Sequence, residues 1–185
     1  VIPRFEIPSK WLIYSGHDFG GANPAAMFYA QDPATGYLYA WHEYLPGGGR
    51  GIYAHVQEFK QITEGRVVIK RNGGSHQEDE IRQGYTAQGW PIAEPMLSNN
   101  VAAGIQRVFD FHAYNKIFVF DDLTEYLREK LSYSYKRDAG LLTDIIEDKH
   151  RFHLMDSERS IISDFAPETV SGSKYTEIHR FDQRR

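Results

Sequence analysis

Three segments with strand-like patterns lie close together near the start of the sequence, before any helical pattern begins. Residues 11–18 form an apolar run typical of a buried strand, and residues 27–31 and 37–44 follow after short interruptions. The second and third segments are joined by residues 32–36, a turn-forming stretch that contains a proline and a glycine. Connections this short suit hairpins, so we predict an antiparallel meander of three strands.

The pattern then changes to an alternation of helices and strands. Glycines at 47–51 end the meander, and apolar residues recur at helical spacing over about twelve residues from Ile52. The later segments comprise predicted strands at 66–71 and 116–120, the start of a short strand at 89–92, and helices at 78–88, 101–109, 122–135 and 148–164. Intervening helices imply parallel strands. We predict an α/β protein with the RNase H-like fold: a central mixed five-stranded sheet, three antiparallel strands followed by parallel strands, flanked by helices.

Composition is consistent with one compact domain. The chain has 185 residues and 41% hydrophobic content, and we place the domain at residues 10–166, with 1–9 as a linker remnant and 167–185 as a polar tail. The absence of cysteine excludes disulfides and thiolate metal sites. No apolar run approaches the roughly 20 residues of a membrane span, so we expect an intracellular protein without a membrane partner.

The net charge of −4 argues against a surface coated in basic side chains. Local cations remain: Arg66, Lys70 and Arg71 flank an apolar run at 67–69. Such a cluster can hold a phosphate backbone weakly, so we predict DNA contacts there. The alternative is a solvated strand end.

An acid followed by glycines at the end of the first strand is the clearest chemical signal. Asp18 ends that strand, which this fold places at the centre of the sheet, and Gly20 and Gly21 follow it. The glycines would let a substrate backbone approach closely, so we predict DNA contacts at both. Carboxylate oxygens suit Mg²⁺ or Mn²⁺, and two such ions about 4 Å apart can support phosphodiester cleavage. We predict Asp18 to be a catalytic metal ligand; the alternative is a turn or cap residue.

A second acid lies on the last predicted helix, which this fold begins near the end of the first strand. Asp156 and His153 are three residues apart and therefore share a helix face. We predict Asp156 to be a metal ligand and His153 to be a ligand or a proton shuttle to the attacking water. Alternatively, His153 packs near the core and bonds a backbone group.

A further acid is expected at the end of the fourth strand, where the sequence has none. Residues 71–76 contain no carboxylate, and Glu78 is the first acid after them. We predict Glu78 to be a catalytic metal ligand that reaches back across a tight glycine turn. The alternatives are that Glu78 is an ordinary first-turn acid, or that Asp79 or Glu43 provides this ligand.

Two other acidic positions are assigned to structural roles. Asp122 and Glu125 have the spacing of a capping box, so Asp121 and Asp122 are predicted to belong to a helix cap rather than a catalytic pair. Glu158 lies only two residues beyond Asp156 and should point away from it. We therefore predict a surface ion pair between Glu158 and Arg159.

The order and spacing of several stretches resemble the C-terminal nuclease domain of a tailed-bacteriophage terminase large subunit. The resemblance extends from about Lys10 to Phe165. The stretches that carry it are SGHDFG (15–20), GGSHQEDEIR (73–82), GWPIAEP (89–95), GIQRV (104–108) and KHRFHLMDSER (149–159). No single motif among them is very specific, whereas their order and spacing together are.

The resemblance implies an RNase H-like endonuclease that cuts double-stranded concatemeric viral DNA at the start and end of genome packaging, using divalent metals. It implies metal ligands at Asp18 and Asp156, with His153 matching a histidine that some members place beside the last acid. Members usually carry the second acid at the end of the fourth strand, and its displacement here to Glu78 alters the expected metal geometry.

The same resemblance implies partners and a location. The partners are double-stranded DNA, the terminase ATPase domain, the small terminase subunit and the portal protein, in the host cell cytoplasm. No Gly-x-x-x-x-Gly-Lys-[Ser/Thr] motif, which binds ATP phosphates, occurs in these residues. The ATPase domain that the resemblance implies would therefore lie in another part of the protein. We expect the isolated domain to be a monomer. The alternative functions are another RNase H-fold nuclease of the resolvase or transposase type, and a non-catalytic DNA or portal docking domain.

Overall fold

A mixed five-stranded sheet forms the centre of the computed structural model, which describes residues 1–20 and 24–165. The strands are Leu12–Asp18 (β1), Ala25–Gln31 (β2), Leu38–Tyr44 (β3), Val68–Gly73 (β4) and Ile117–Val119 (β5). Their order across the sheet is β4-β1-β2-β3-β5. The first three strands pair antiparallel, whereas β4 is parallel to β1 and β5 is parallel to β3. The predicted sheet, with an antiparallel meander followed by parallel strands, is confirmed.

Helices cover both faces of this sheet. They are Ile52–Ile62 (α1), Asp79–Ala87 (α2), Val101–Ala113 (α3), Thr124–Ser132 (α4) and His153–Ile162 (α5), with short 3₁₀ turns at His76–Glu78 and Lys149–Arg151. In β2, residues 25–30 are all buried, as expected for a central strand that is covered on both sides. No helix in the described part of the chain is both long and apolar enough to cross a membrane.

Strand β1 directs alternate side chains to two different helical layers. His17 is fully buried and its ring lies 4.9 Å from that of Phe59 on α1 and 6.3 Å from that of Trp90. Gly16 faces the opposite layer, where a Cβ atom would lie only 1.9 Å from the backbone oxygen of Ser157 on α5. The sheet and α5 are therefore in backbone contact, and this contact places the start of α5 beside the end of β1.

The segment between α4 and α5 differs from the prediction. Instead of helix up to 135 and again from 148, the chain forms an antiparallel hairpin of Tyr135–Asp138 (β6) and Leu141–Ile146 (β7). Both residues of the connecting turn, Ala139 and Gly140, have positive φ values of 48° and 84°. This is the backbone that two-residue hairpin turns require. Helix α5 consequently begins only at His153.

The strand predicted to start at 89–92 is also absent from the described structure. Ala93 makes a single parallel bridge to Asn72 at the outer edge of β4. Trp90 is buried in the core, and the next residue, Pro91, cannot donate a hydrogen bond to a strand ladder. The buried Trp90 side chain and two backbone hydrogen bonds, from Ala93 N to Arg71 O at 2.8 Å and from Gly73 N to Ala93 O at 3.0 Å, therefore hold this segment without a regular strand.

The first nine residues pack against the domain. Ile2 forms a parallel bridge with Phe120 next to β5, and Arg66 donates to the backbone oxygen of Ile7 at 3.0 Å. This segment covers part of the open edge that β5 would otherwise expose. Its role as an interdomain linker stays a prediction, and the predicted tail at 167–185 lies outside the described residues.

Candidate active site

The end of β1 meets the first residue of α5. His153 Nδ1 lies 2.7 Å from Asp18 Oδ2, and both side chains are about one-fifth exposed, at 20% and 23%. Residues 135 positions apart in the sequence are thus in direct contact at a place that solvent can reach. We refer to this contact as the Asp18–His153 pair.

Asp156 lies one helical turn further along α5 and is held by its neighbour Arg159. The guanidinium donates to Asp156 Oδ1 from Nη2 at 3.0 Å and from Nε at 3.3 Å. Burial raises the pKa of Asp18, the bond to His153 opposes this rise, and the negative charges of Asp156 and Glu78 add to it. The predicted acids therefore act on one another electrostatically.

Glu78 ends the 3₁₀ turn that connects β4 to α2. Its Oε2 accepts from the backbone N–H of Ser75 at 2.6 Å, and the Ser75 side chain bonds back to the backbone of Glu78. This reciprocal capping box fixes the turn. The neighbouring acid Asp79 instead binds Arg82, with Nη2 and Oδ1 2.5 Å apart. Of these two acids, Glu78 is the one whose charge acts on Asp18.

Glu43 caps a helix. Its carboxylate accepts from the backbone N–H groups of Glu125, at 3.1 Å, and Tyr126, at 2.6 Å, at the start of α4. The capping box predicted for Asp122 is therefore wrong, and the Asp122 carboxylate binds the guanidinium of Arg4 instead. A glutamate from β3 reaches the orphan N–H groups of this helix, and local sequence spacing does not reveal such a distant cap.

Glu158 is buried, with 1% exposure, which contradicts the predicted surface ion pair with Arg159. Its carboxylate accepts from Tyr126 Oη, His112 Nε2 and Lys130 Nζ, each at 2.8 Å. Although burial acts in the opposite direction, the positive charges of Lys130 and His112 lower the pKa of Glu158. The prediction failed because α5 is covered by the sheet on one side and by α3 and α4 on the other, so a position two residues from Asp156 still faces protein.

Glu129, which was not among the predicted site residues, supports the site from α4. This side chain is 5% exposed, and its Oε2 accepts from the backbone N–H groups of Leu154, at 2.9 Å, and Met155, at 3.2 Å. These are orphan donors of the first turn of α5, where a carboxylate is favoured. Glu129 therefore fixes the turn that presents His153. No local motif marks it, because the groups it caps are 25 and 26 residues away.

Glu129 gives stability a defined pH dependence. Burial raises the pKa of its carboxyl from the ordinary value of 4.5 to about 7, so the folded state binds this proton more tightly than the unfolded state. The free energy of unfolding of the wild type, relative to Glu129→Gln, should fall as the pH rises from about 5 to about 8, by up to about 3 kcal/mol. Urea unfolding of the wild type and of Glu129→Gln at four pH values measures this difference in the free energy of unfolding. A difference that stays constant with pH would contradict this prediction.

Comparison with solved structures identifies the architecture. The nuclease domain of the P22 large terminase matches with a TM-score of 0.66 at 16% identity, covering 85% of this chain and 83% of that chain. The large terminase nuclease from thermophilic phage G20c matches with a TM-score of 0.65 at 18% identity, covering 90% and 94%. The chain has the fold of a large-terminase nuclease domain. The predicted RNase H-like fold and the resemblance to these domains are confirmed at the level of structure.

The match to larger proteins is partial. The large terminase of thermophilic bacteriophage D6E, solved in complex with ADP, matches with a TM-score of 0.71 at 17% identity over 85% of this chain, which spans 40% of that protein. The SPP1 nuclease domain, which was solved with bound Mn, matches with a TM-score of 0.62 at 16% identity, covering 80% and 82%. The sequence matches no protein-family model and no curated protein.

The donor chemistry of this terminase-nuclease fold suits a hard divalent cation. Asp18, Asp156 and Glu78 offer carboxylate oxygens, which Mg²⁺ and Mn²⁺ prefer. Burial raises the pKa of Asp18, and the negative charges of Asp156 and Glu78 add to this rise. A bound cation would offset this repulsion among the three carboxylates. Within residues 1–20 and 24–165, however, no group of three or more His, Asp or Glu side chains is arranged to hold one ion. The number of ions and their exact ligands therefore stay predictions.

The cations predicted to contact DNA have partners within the fold. Lys70 pairs with Asp164 at 2.8 Å, and the Arg71 guanidinium lies 4.4 Å from the centre of the Trp90 ring. Arg66, as described above, binds backbone oxygens of the N-terminal segment. Gly20 follows β1 next to the site, whereas Gly21 lies outside the described residues. DNA contacts at these positions stay predictions.

Proposed function

We propose that this chain is the nuclease domain of a phage terminase large subunit, a divalent-metal-dependent endonuclease that cuts double-stranded concatemeric DNA during genome packaging. The Asp18–His153 pair is the observation that carries the proposal, because it joins a central strand end to the last helix in a fold shared with terminase nucleases. Cutting has low sequence specificity in this proposal and follows a two-metal mechanism.

Asp18, Asp156 and Glu78 would hold the ions, which are Mg²⁺ or Mn²⁺. When bound, such ions supply the positive charge that activates water and stabilises the leaving oxygen. The bond from Arg159 fixes one oxygen of Asp156, and the capping box fixes one oxygen of Glu78. These two bonds limit the movement of the Asp156 and Glu78 carboxylates and leave the other oxygen of each for an ion.

His153 is suited to move a proton. Because an ionised carboxylate only accepts hydrogen bonds, the contact with Asp18 places the ring proton on Nδ1 and leaves Nε2 as the acceptor in the neutral imidazole. In this proposal Nε2 takes the proton from the attacking water while Asp18 orients the ring. Glu129 keeps the first turn of α5, and with it His153, in place.

The proposal extends to partners. The D6E large terminase binds ADP, and this chain corresponds to 40% of that protein. We therefore propose that an ATPase domain accompanies this domain, and that the small terminase subunit and the portal protein act with it on DNA in the host cell cytoplasm.

Cleavage of supercoiled plasmid tests the function. The wild-type chain should nick and linearise plasmid DNA in Mn²⁺, and in Mg²⁺, with no cutting in EDTA. Sequencing of the product ends should show no strong preference, because the proposed site contacts the backbone of the DNA rather than base edges. Cutting that persists in EDTA would contradict the metal-dependent mechanism. No cutting in any metal would favour a non-catalytic docking domain.

A further inference from the structure

A cleft adjoins His153 on the side of α4. It has a volume of about 390 Å³, which is within the usual range of about 300–1,000 Å³ for small-ligand sites. Its walls come from the loop after β3, from α4 and from the 3₁₀ turn Lys149–Arg151, and His153 itself lines it. The cleft is therefore continuous with the candidate active site.

Basic side chains on two of these walls face the cleft. Arg128 of α4 lines it together with His150 and Arg151 of the 3₁₀ turn, and we call it the basic cleft. Among these described wall residues the only acid is Glu129, whose Oε2 accepts two backbone N–H groups of α5. The lining of the basic cleft thus favours an anion.

The two arginines are available to a ligand. The side chains of Arg128 and Arg151 are 69% and 64% exposed, and among residues 1–20 and 24–165 each forms an ion pair with one acid three residues earlier, Glu125 and Asp148 respectively. Exposed pairs of this kind contribute only about 0–1 kcal/mol, so a phosphate can replace them at little cost. A guanidinium also binds phosphate through two parallel hydrogen bonds.

We propose that the basic cleft binds a backbone phosphate of the DNA strand beside the phosphate that is cut, with Arg128, His150 and Arg151 as its ligands. This inference rests on the proposed nuclease function and defines the path of the substrate. It places the strand across α4 and the 3₁₀ turn rather than along β4. There Lys70 pairs with Asp164, an acid that is only 6% exposed, whereas the acids paired with Arg128 and Arg151 are 39% and 58% exposed.

The test is equilibrium binding of a short fluorescent DNA duplex in EDTA, where cutting does not interfere, measured by anisotropy over a range of salt concentrations. The double variant Arg128→Gln/Arg151→Gln should bind at least about tenfold more weakly, and the slope of log K against log salt should decrease by about one to two. The matched control is Lys10→Gln/Lys60→Gln, which removes the same charge from exposed positions. Both lysines are exposed, and Lys10 precedes β1, whose opposite end carries Asp18. This control should keep both wild-type values.

A third double variant, Arg66→Gln/Lys70→Gln, tests the alternative path of the DNA strand along β4, and we call it the β4 variant. Equal binding by the Arg128/Arg151 variant and the control would overturn the proposal. Weaker binding by the β4 variant alone would also overturn it, as would a wild-type chain that shows no salt-dependent binding. The binding assay does not depend on catalysis. If the Arg128/Arg151 variant binds DNA more weakly but the wild-type chain never cuts plasmid DNA, the basic cleft is supported and the nuclease function is contradicted. Thermal melting of each variant confirms that it is folded.

Discussion

Asp18→Asn should reduce plasmid cleavage in Mn²⁺ by about a thousandfold, because the loss of one group that stabilises transition-state charge typically costs about 10²–10³ in rate and Asp18 is proposed to hold the ions that do so. Asparagine keeps the size of the side chain and can still bond His153, so the fold should survive. The change removes the negative charge that a cation needs at the end of β1. Initial rates of supercoiled plasmid loss, with circular dichroism as the check on folding, measure this effect.

Other acid-to-amide variants show whether the loss of activity is specific to Asp18. Asp121→Asn neutralises an exposed acid that follows β5, three strand positions from β1 in the sheet, and should leave the rate unchanged. Glu78→Gln should lose activity in the same way as Asp18→Asn, whereas Glu43→Gln should keep it, because Glu43 caps α4. An active Asp18→Asn protein would exclude the proposed site. If Glu78→Gln were fully active, Asp79 or Glu43 would become the candidate for the second acid.

Gly16→Ala should lower the free energy of unfolding by about 3 kcal/mol or more, at the upper end of overpacking effects in protein cores. The added Cβ would lie 1.9 Å from the backbone oxygen of Ser157, so either β1 or α5 has to move. Backbone atoms cannot rotate away as a flexible side chain can. Any shift of α5 also carries His153 away from Asp18, so activity should fall together with stability. Urea unfolding and the plasmid assay measure the two effects.

A second glycine provides the control. Gly51 precedes α1 with an ordinary extended backbone, φ −89°, and a Cβ there would meet nothing within 4 Å. Gly51→Ala should change stability by less than about 1 kcal/mol. Similar stabilities for the two variants would show that β1 and α5 do not make the close contact described above.

Local pattern predicted the meander and the parallel pairing of the later strands, because short connections suit hairpins and intervening helices suit parallel strands. The central position of β1 follows from the RNase H-like fold that this order of elements matches. The same fold predicts that Asp18 lies near the start of the last helix, which the sequence pattern places at 148. The direct contact with His153 was not predicted, because the hairpin and the 3₁₀ turn move the start of this helix to His153. The hairpin at 135–146 could not be predicted either, because its turn depends on positive φ at Ala139, a residue that does not signal it.

The contacts that support the site were beyond sequence reasoning. Glu43 binds backbone groups that lie 82 and 83 residues away, and Glu129 and Glu158 bind groups on elements distant in sequence. Such pairs have no fixed spacing, and an isolated glutamate looks the same whether it is solvated or buried. They depend on the packing of α4 between β3 and α5, which only the folded chain defines.

The caps on α4 and α5 also affect how much of the chain's negative charge faces solvent. Glu43 and Glu129 direct their carboxylates to backbone N–H groups inside the molecule, and Glu158 is buried against Lys130 and His112. The formal charge of −4 counts all three as though they faced solvent. These three negative charges are therefore offset inside the domain, by backbone N–H groups and by Lys130 and His112, so the net charge alone does not describe what an approaching polyanion meets.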